Sequence, residues 1–329
     1  MASVAEKRFW LGFDLGGTKM MASVFNQNFK MVGVDRRKTI ANKGTKAGVA
    51  RLVESIEEAL KNAGISGRQL AGIGVGAPGT LNLNRGVVLQ AANLGWHHVP
   101  LQSILEKRFR CPAVVVNDVD AGTYGEYRFG AARRARCVVG VFPGTGIGGS
   151  CIYEGRIVRG SEHSCMEIGH MLMVPGGNLC GCGRRGCLET VASRLAIAAE
   201  CALAALRGHA PHLLETAGTD IREIRSGAIA GAVRAGDGMI EEIVRHAARQ
   251  LGAAVANTVN LMAPDMVVLG GGLVEEMPKL FVEEVKNSIL RIAMRSLSGD
   301  VKVAAARLGD NAVVMGAAAL AADARESGK

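Results

Sequence analysis

The sequence predicts an α/β protein with a duplicated core, and three observations carry that prediction. Short apolar runs that end in glycine or polar residues, "LAGIGVGAPG", "CPAVVVND" and "DMVVLGGG", alternate with stretches whose apolar residues recur at helical spacing. The opening unit, strand, glycine loop, strand, in "FWLGFDLGGTKMMASVF" returns far downstream as "RCVVGVFPGTGIGGSCIYEGRIV". The two loops align only loosely, "DLGGTK" with "PGTGIGG", so a chance likeness of glycine turns competes with duplication. Finally, a hydrophobic fraction of 48% with 4% aromatics and 44 glycines describes a globular core of aliphatic side chains joined by glycine turns.

The elements follow in order. "FWLGFD" is a strand, "GGT" a turn, and "KMMASVF" and "KMVGVDRR" the next two strands. A helix is expected from about Lys46 to Ala63, with Leu52, Val53, Ile56 and Leu60 on one face. "LAGIGVGAPG" and "CPAVVVND" are buried strands. The repeated strand–loop–strand unit comes next, and a largely helical second half follows. There Met239, Ile240, Ile243, Val244, Ala247, Leu251 and Val255 mark one long helix. "DMVVLGGG" is a buried strand, 273–292 a helix, "VKVAAA" a short strand, and the last helix spans about 312–322. A lobe boundary is expected at Asn117–Asp118. That gives lobes of 1–117 and 118–311, with the C-terminal helix, 312–329, returning to the first. No long linker marks the boundary, so a cleft is expected there rather than separate beads.

The N-terminal stretch has no apolar run long enough for a signal peptide, and "NAVVMGAAALAADA" is too short to cross a membrane. A soluble, cytoplasmic protein is expected. The net charge of +9 gathers at 36–38, 133–136 and 184–185. Nucleic-acid binding is one reading. A solvated basic surface that attracts an anionic nucleotide is the other, favoured because aromatics do not interleave with the basic residues.

Several stretches could carry chemistry. In "GFDLGGTK", the backbone of Gly16 and Gly17, the Thr18 hydroxyl and the Lys19 ammonium suit a phosphate. Asp14 suits a hydrated Mg²⁺. The stretch is no Walker A sequence and equally fits a tight hairpin whose turn amides Asp14 satisfies. Gly144, Thr145 and Gly146 in "PGTGIGGS" repeat that logic. Asn117 and Asp118 end a buried strand, where α/β ligand sites gather. Asp118 suits a base for an attacking hydroxyl, and it also suits a helix cap.

His170, Cys180, Cys182 and Cys187 make a complete tetrahedral Cys₃His set, with Gly181, Gly183 and Gly186 for the tight turns. Such a closed set is a structural zinc site. Buried unliganded cysteines or a redox pair are the competing readings, and a redox pair leaves the histidine without a role. Zinc would fix a loop carrying Glu167, His170 and Glu189, whose acceptors suit a polyol.

Taken together, "DLGGTK", "GVGAPG", "VVLQAANLGW", "VVNDVDAG", "GTGIGG", "EIGH", "CGCGRRGCLE", "VVLGGG" and "GDNAVVMGAAALAA" stand in the order of one family. The chain resembles the ROK family of sugar kinases and sugar-responsive repressors, within the hexokinase–actin superfamily. The resemblance implies two ribonuclease-H-like lobes about a cleft, with a small zinc loop. It implies Asp118 as catalytic base, and Asn93, Asn117, Glu167, His170 and Glu189 as sugar ligands. Gly16–Lys19 and Gly144–Gly146 become phosphate clamps, with Gly270, Gly271 and Gly272 near the adenosine. The zinc ligands become His170, Cys180, Cys182 and Cys187. ATP, Mg²⁺ and zinc are the implied cofactors, and a homodimer the implied assembly. The implied activity is phosphorylation of a hexose, glucose first; N-acetylmannosamine, N-acetylglucosamine and fructose are the alternatives, and a non-catalytic sugar sensor is a further one. The family's repressors carry a helix-turn-helix domain ahead of this motif. With thirteen residues before Asp14, an enzyme without nucleic-acid partners is expected. One departure stands out: Cys165 and Met166 precede "EIGH" where family kinases usually carry small residues, often ending in glycine.

Overall fold

The computed structural model describes residues 9–40, 44–161 and 164–326. The chain divides into two compact units. One holds Met1–Arg133, Gly155–Cys165 and Asp310–Lys329, and the other Arg134–Glu154 and Met166–Gly309.

In the first unit, β1 (Phe9–Leu15), β2 (Lys19–Phe25), β3 (Met31–Lys38), β4 (Leu70–Ala77) and β8 (Ala113–Asn117) form one sheet of order β3-β2-β1-β4-β8. β1 to β3 pair antiparallel; β1, β4 and β8 run parallel. Helices α1 (Gly44–Asn62), α2 (Leu101–Phe109) and α3 (Asp118–Phe129) accompany it. The apolar face expected on α1 is the buried one, with Leu52, Ile56 and Leu60 in the core. A small second sheet, β5 (Thr80–Asn82), β6 (Val87–Ala91) and β7 (Trp96–Val99), was not legible from "GTLNLNRG" and "VVLQAANLGW", because its strands are short and turn-rich.

The C-terminal helix α12 (Ala312–Glu326) packs in this unit, against α3 and the sheet. Residues 327–329 of the expected helix lie outside the described residues. Small residues are required on both sides. A Cβ at Gly12 would stand 1.8 Å from the Val314 carbonyl oxygen, one at Gly74 1.8 Å from that of Ala317, and one at Gly316 1.8 Å from that of Ala121. Backbone therefore rests on backbone, as "GAAALAA" permits. Because α3 is gripped by α12, the first unit runs past the expected boundary at 117/118 and continues to Arg133.

The second unit repeats the plan. β9 (Cys137–Pro143), β10 (Ile147–Tyr153), β11 (Arg156–Ile157), β12 (Met266–Leu269) and β13 (Lys302–Ala305) give a sheet of order β11-β10-β9-β12-β13. β10 is antiparallel to β9, and β9, β12 and β13 are parallel. The correspondence of β1 with β9, β4 with β12 and β8 with β13 bears out the duplication. The helices of this half are α4 (Glu189–Ala192), α5 (Arg194–Leu206), α6 (Pro211–Ala217), α7 (Ser226–Ala235), α8 (Gly238–Met262), α9 (Gly272–Glu276), α10 (Pro278–Ile292) and α11 (Arg295–Ser298). The long helix expected around 239–255 is α8. The single helix expected over 273–292 is instead two, α9 and α10, broken at Met277 because Pro278 cannot donate to the preceding turn. Among the described residues, no helix is long and apolar enough to cross a membrane.

Candidate active site and metal centre

In the first unit, Asp14 stands half-buried at the carboxyl end of β1, and Asn117–Asp118 end the parallel β8. Burial, then the Asp118 carboxylate, push the pKa of Asp14 up to about 7; Lys19 lowers it and Asp310 raises it again. Two acids held this close disfavour double ionisation, which is the electrostatic signature of a cation or proton site. The cap of α3 is Asn117, not Asp118. Asn117 Oδ1 accepts from the amides of Val119 at 2.9 Å and Asp120 at 3.3 Å. That leaves the Asn117 amide NH₂ for a ligand. Asp118 Oδ1 also accepts from Val119 N, at 3.0 Å.

The loop Gly16–Thr18 is tied down rather than loose. Thr39 donates its amide to the Thr18 carbonyl at 2.9 Å and its hydroxyl to the Gly16 carbonyl at 2.6 Å. A Cβ on Gly17 would meet the Asn93 side chain at 3.1 Å, so Asn93, on the short turn Ala92–Leu94, sits beside this loop. Lys19 Nζ lies 2.6 Å from Asp310 Oδ1, and Arg36 reaches the same carboxylate at 3.6 Å. Asp310 and Arg36 adjoin this candidate site and were not among the residues expected there. "GDNA" was visible as a motif, but a contact across nearly the whole chain has no local signal.

In the second unit, the amide of Gly144 donates to the Gly146 carbonyl at 2.8 Å, and Arg194 reaches the Thr145 hydroxyl at 3.2 Å. Burial and neighbouring Arg225 hold the Arg194 guanidinium below its usual range. Arg194 was not foreseen either. The turn Gly270–Gly272 abuts the same loop. A Cβ on Gly270 would enter the Phe142 ring at 2.3 Å, and Gly271, at φ +86°, lies against the Pro143 carbonyl. Glu189 was expected as a sugar ligand. One of its oxygens accepts from Ile147 N at 3.0 Å, so it braces the glycine loop as well. Glu167 is exposed and opens the short turn Ile168–His170. Met166 has φ +63°, a region that favours glycine, which gives a backbone reason for the small residue usual there.

His170, Cys180, Cys182 and Cys187 meet, with one ligand atom from each within 4.8 Å of all the others. Cys182 Sγ and Cys187 Sγ are 3.7 Å apart, and Cys180 Sγ lies 3.6 Å from His170 Nδ1. Two sulfurs about 2.3 Å from one tetrahedral ion would stand about 3.8 Å apart, and a sulfur and a nitrogen (about 2.0 Å) about 3.5 Å apart, so the set fits zinc. Backbone bonds Cys180 N to Arg184 O at 2.8 Å and Gly183 N to Cys180 O at 2.9 Å shape the knuckle. Gly183 and Gly186 adopt positive φ as the knuckle needs; Gly181 does not. With Nδ1 facing the sulfurs, Nε2 of the exposed His170 is left outward.

A family model described as the ROK family matches residues 10–324. The chain belongs to the ROK family. A glucokinase of Streptomyces coelicolor is 33% identical over 314 residues, covering 94% of this chain and 96% of its own. Among solved ROK structures, a glucokinase from Streptomyces griseus in complex with glucose and AMPPNP is similar with a TM-score of 0.84 and 32% identity, covering 96% of this chain and 99% of that one. A hexokinase from Thermus thermophilus is similar with a TM-score of 0.80 and 31% identity, over 97% and 99% of the two chains.

Proposed function

We propose that this ROK protein is a hexose kinase that transfers the terminal phosphoryl group of ATP to a sugar hydroxyl, with glucose, at its primary hydroxyl, as the preferred acceptor. The observation that carries the reading is the acid pair at the strand ends. Burial and the Asp118 carboxylate raise the pKa of Asp14 to about 7, beside a glycine loop held by Thr39. Glucose as acceptor and ATP as donor are supported by the ligands named for the Streptomyces griseus relative.

On this reading Asp118 accepts the proton of the sugar hydroxyl as its oxygen attacks phosphorus. It acts through position more than basicity. The first unit offers Asn117 NH₂ and Asn93 to the sugar hydroxyls, and the second offers Glu167, His170 Nε2 and Glu189. In the first unit the amides of Gly16 and Gly17, with Thr18 and Lys19, suit the phosphates; in the second the Gly146 amide and the Thr145 hydroxyl do, with the Gly144 amide closing their turn, and Gly270–Gly272 let the nucleotide approach the backbone. Mg²⁺ held at Asp14 would offset the charge of the phosphates and relieve the Asp14–Asp118 repulsion. Zinc at the Cys₃His set would fix the rotamer of His170 and the loop bearing Glu167 and Glu189.

The test is a coupled ADP-release assay over a panel of hexoses and N-acetylhexosamines, with ATP and polyphosphate as donors. Glucose with ATP should give the highest kcat/KM. ADP release with no sugar in the panel would end the kinase reading, and a clear preference for an N-acetylhexosamine would end the choice of glucose.

A further inference from the structure

The first unit has a second polar concavity, at the end of its sheet away from Asp14 and Asp118. A groove of about 670 Å³ is walled by the last turn of α1, the turn at 65–68 and the last turn of α2 with Arg110. The turn at 65–68 leads into β4 at Leu70, and Arg110 precedes β8 at Ala113. The groove thus lies at the amino ends of parallel strands whose neighbours carry Asp14 and Asp118 at their carboxyl ends. The five residues of β8 alone separate the two ends by about 15 Å. A tripolyphosphate held in the groove does not reach the candidate catalytic residues.

Its charge is lopsided. Lys61, Arg68, Lys107, Arg108 and Arg110 line it, against one acid, Glu57. Glu57 pairs with Arg108, and Glu58 with Lys61 at 3.2 Å. Arg68, Lys107 and Arg110 have no carboxylate at ion-pair distance among the described residues. Two helix carboxyl ends meet here and contribute about half a negative charge each. After these offsets about two positive charges remain uncompensated, over a floor containing the apolar Leu60 and Phe109, which strengthens the field on a bound ion. Arg110 adds a backbone argument. It closes α2 at φ +55°, a position that glycine or asparagine usually fills, so Arg110→Gly removes the cation without straining the backbone.

We propose that this groove binds an oligophosphate anion, one with several phosphates in a row. The cations come from three separate segments, so a chain can touch more of them at once than a single phosphate can. Single-stranded nucleic acid fits less well. Phe109 is 7% exposed and the Arg108 guanidinium stands 5.8 Å from its ring centroid, so no free aromatic face offers stacking. The proposal does not rest on the kinase reading and survives its failure.

The experiment titrates inorganic tripolyphosphate into the full chain by calorimetry, for the wild type and for Arg68→Ser/Arg110→Gly, at low and high KCl, with amide hydrogen exchange to locate the site. Expected are slowed exchange in 60–68 and 107–110, weaker binding at high salt, and a loss of about tenfold or more in the double variant. Long-chain polyphosphate should bind more tightly than tripolyphosphate, and hexose 6-phosphate more weakly. Arg110→Gly relieves the left-handed arginine, so the variant should melt no lower than wild type; Lys107→Ala, at a helical position, gives an independent loss of affinity. Unchanged affinity in both variants, protection confined to the two glycine loops, absence of binding, hexose 6-phosphate binding as tightly as tripolyphosphate, or displacement by an RNA oligomer of equal charge would each overturn the proposal.

Discussion

The loop Gly16–Lys19 follows the first strand of one sheet, and Gly144–Gly146 follows the first strand of the other. The sheets share strand order and direction, so the loops hold one topological position. Their surroundings differ in charge. The first has the carboxylates Asp14, Asp118 and Asp310 nearby, with Lys19 and Arg36 paired to Asp310; the second has one cation, Arg194, and the bracing Glu189. Where β8 ends in Asn117–Asp118, its counterpart β13 ends in Ala305–Ala306, and where β1 ends near Asp14, β9 ends in Phe142–Pro143. Duplication therefore supplied the frame twice. The residues at strand ends, not the frame, decide which copy can move a proton or hold a cation.

The sharpest way to break this contrast is Asp118→Asn. Turnover should fall on the order of 10²–10⁴-fold while glucose binding, followed by calorimetry, persists. Near-normal turnover would leave the first unit with no privileged chemistry. In the second unit, Cys182→Ser should cost zinc, measured by elemental analysis, and sugar affinity together. Sugar binding that is unchanged in zinc-free protein would cut the link between the metal loop and the ligands it carries.

Gly12→Ala tests the packing peculiar to the first unit. The new Cβ would fall 1.8 Å from the Val314 carbonyl oxygen, so α12 must shift, at a cost of about 3 kcal/mol in urea unfolding. A loss under about 0.5 kcal/mol would show that α12 is not held backbone to backbone.

Asp14→Asn gives a pH-dependent effect. Asp14 has an ordinary value of 3.8 and a folded value of about 7, so between these the folded chain holds a proton that the unfolded chain has released. Its contribution to stability is therefore lost as pH rises through that window. The variant should melt about 4 °C or more above wild type at pH 8 and level with it below pH 4, with Mg²⁺ narrowing the gap at pH 8. A gap that does not change with pH would remove the acid pair.

The smallest expected effect is Met166→Gly. Relief of φ +63°, less the entropy glycine adds to the unfolded chain, should stabilise by about 0.5–1 kcal/mol in denaturant titration. The same change should alter the order of preference in the sugar panel.

Much of the candidate site was legible because it is local. "DLGGTK", "PGTGIGG" and "CGCGRRGC" place glycines, acids and thiols at fixed spacing, and spacing survives folding. The roles of Asn117 and Glu189 were only half legible. That Asn117 caps α3 and that Glu189 holds Ile147 N depend on which way side chains turn once neighbours pack. The pairings of Asp310, Arg36 and Arg194 were silent, since each finds its partner through tertiary contact.

By itself the sequence determined the α/β class, the repeated strand–loop–strand unit, the Cys₃His set and the family, because periodicity, glycine placement and ligand spacing are properties of short segments. Only the tertiary structure decided that α3 belongs with the first unit, that Lys19 meets Asp310 and that five cations line one groove. Those facts arise from backbone approach and charge convergence between segments far apart in the chain, which no local pattern encodes.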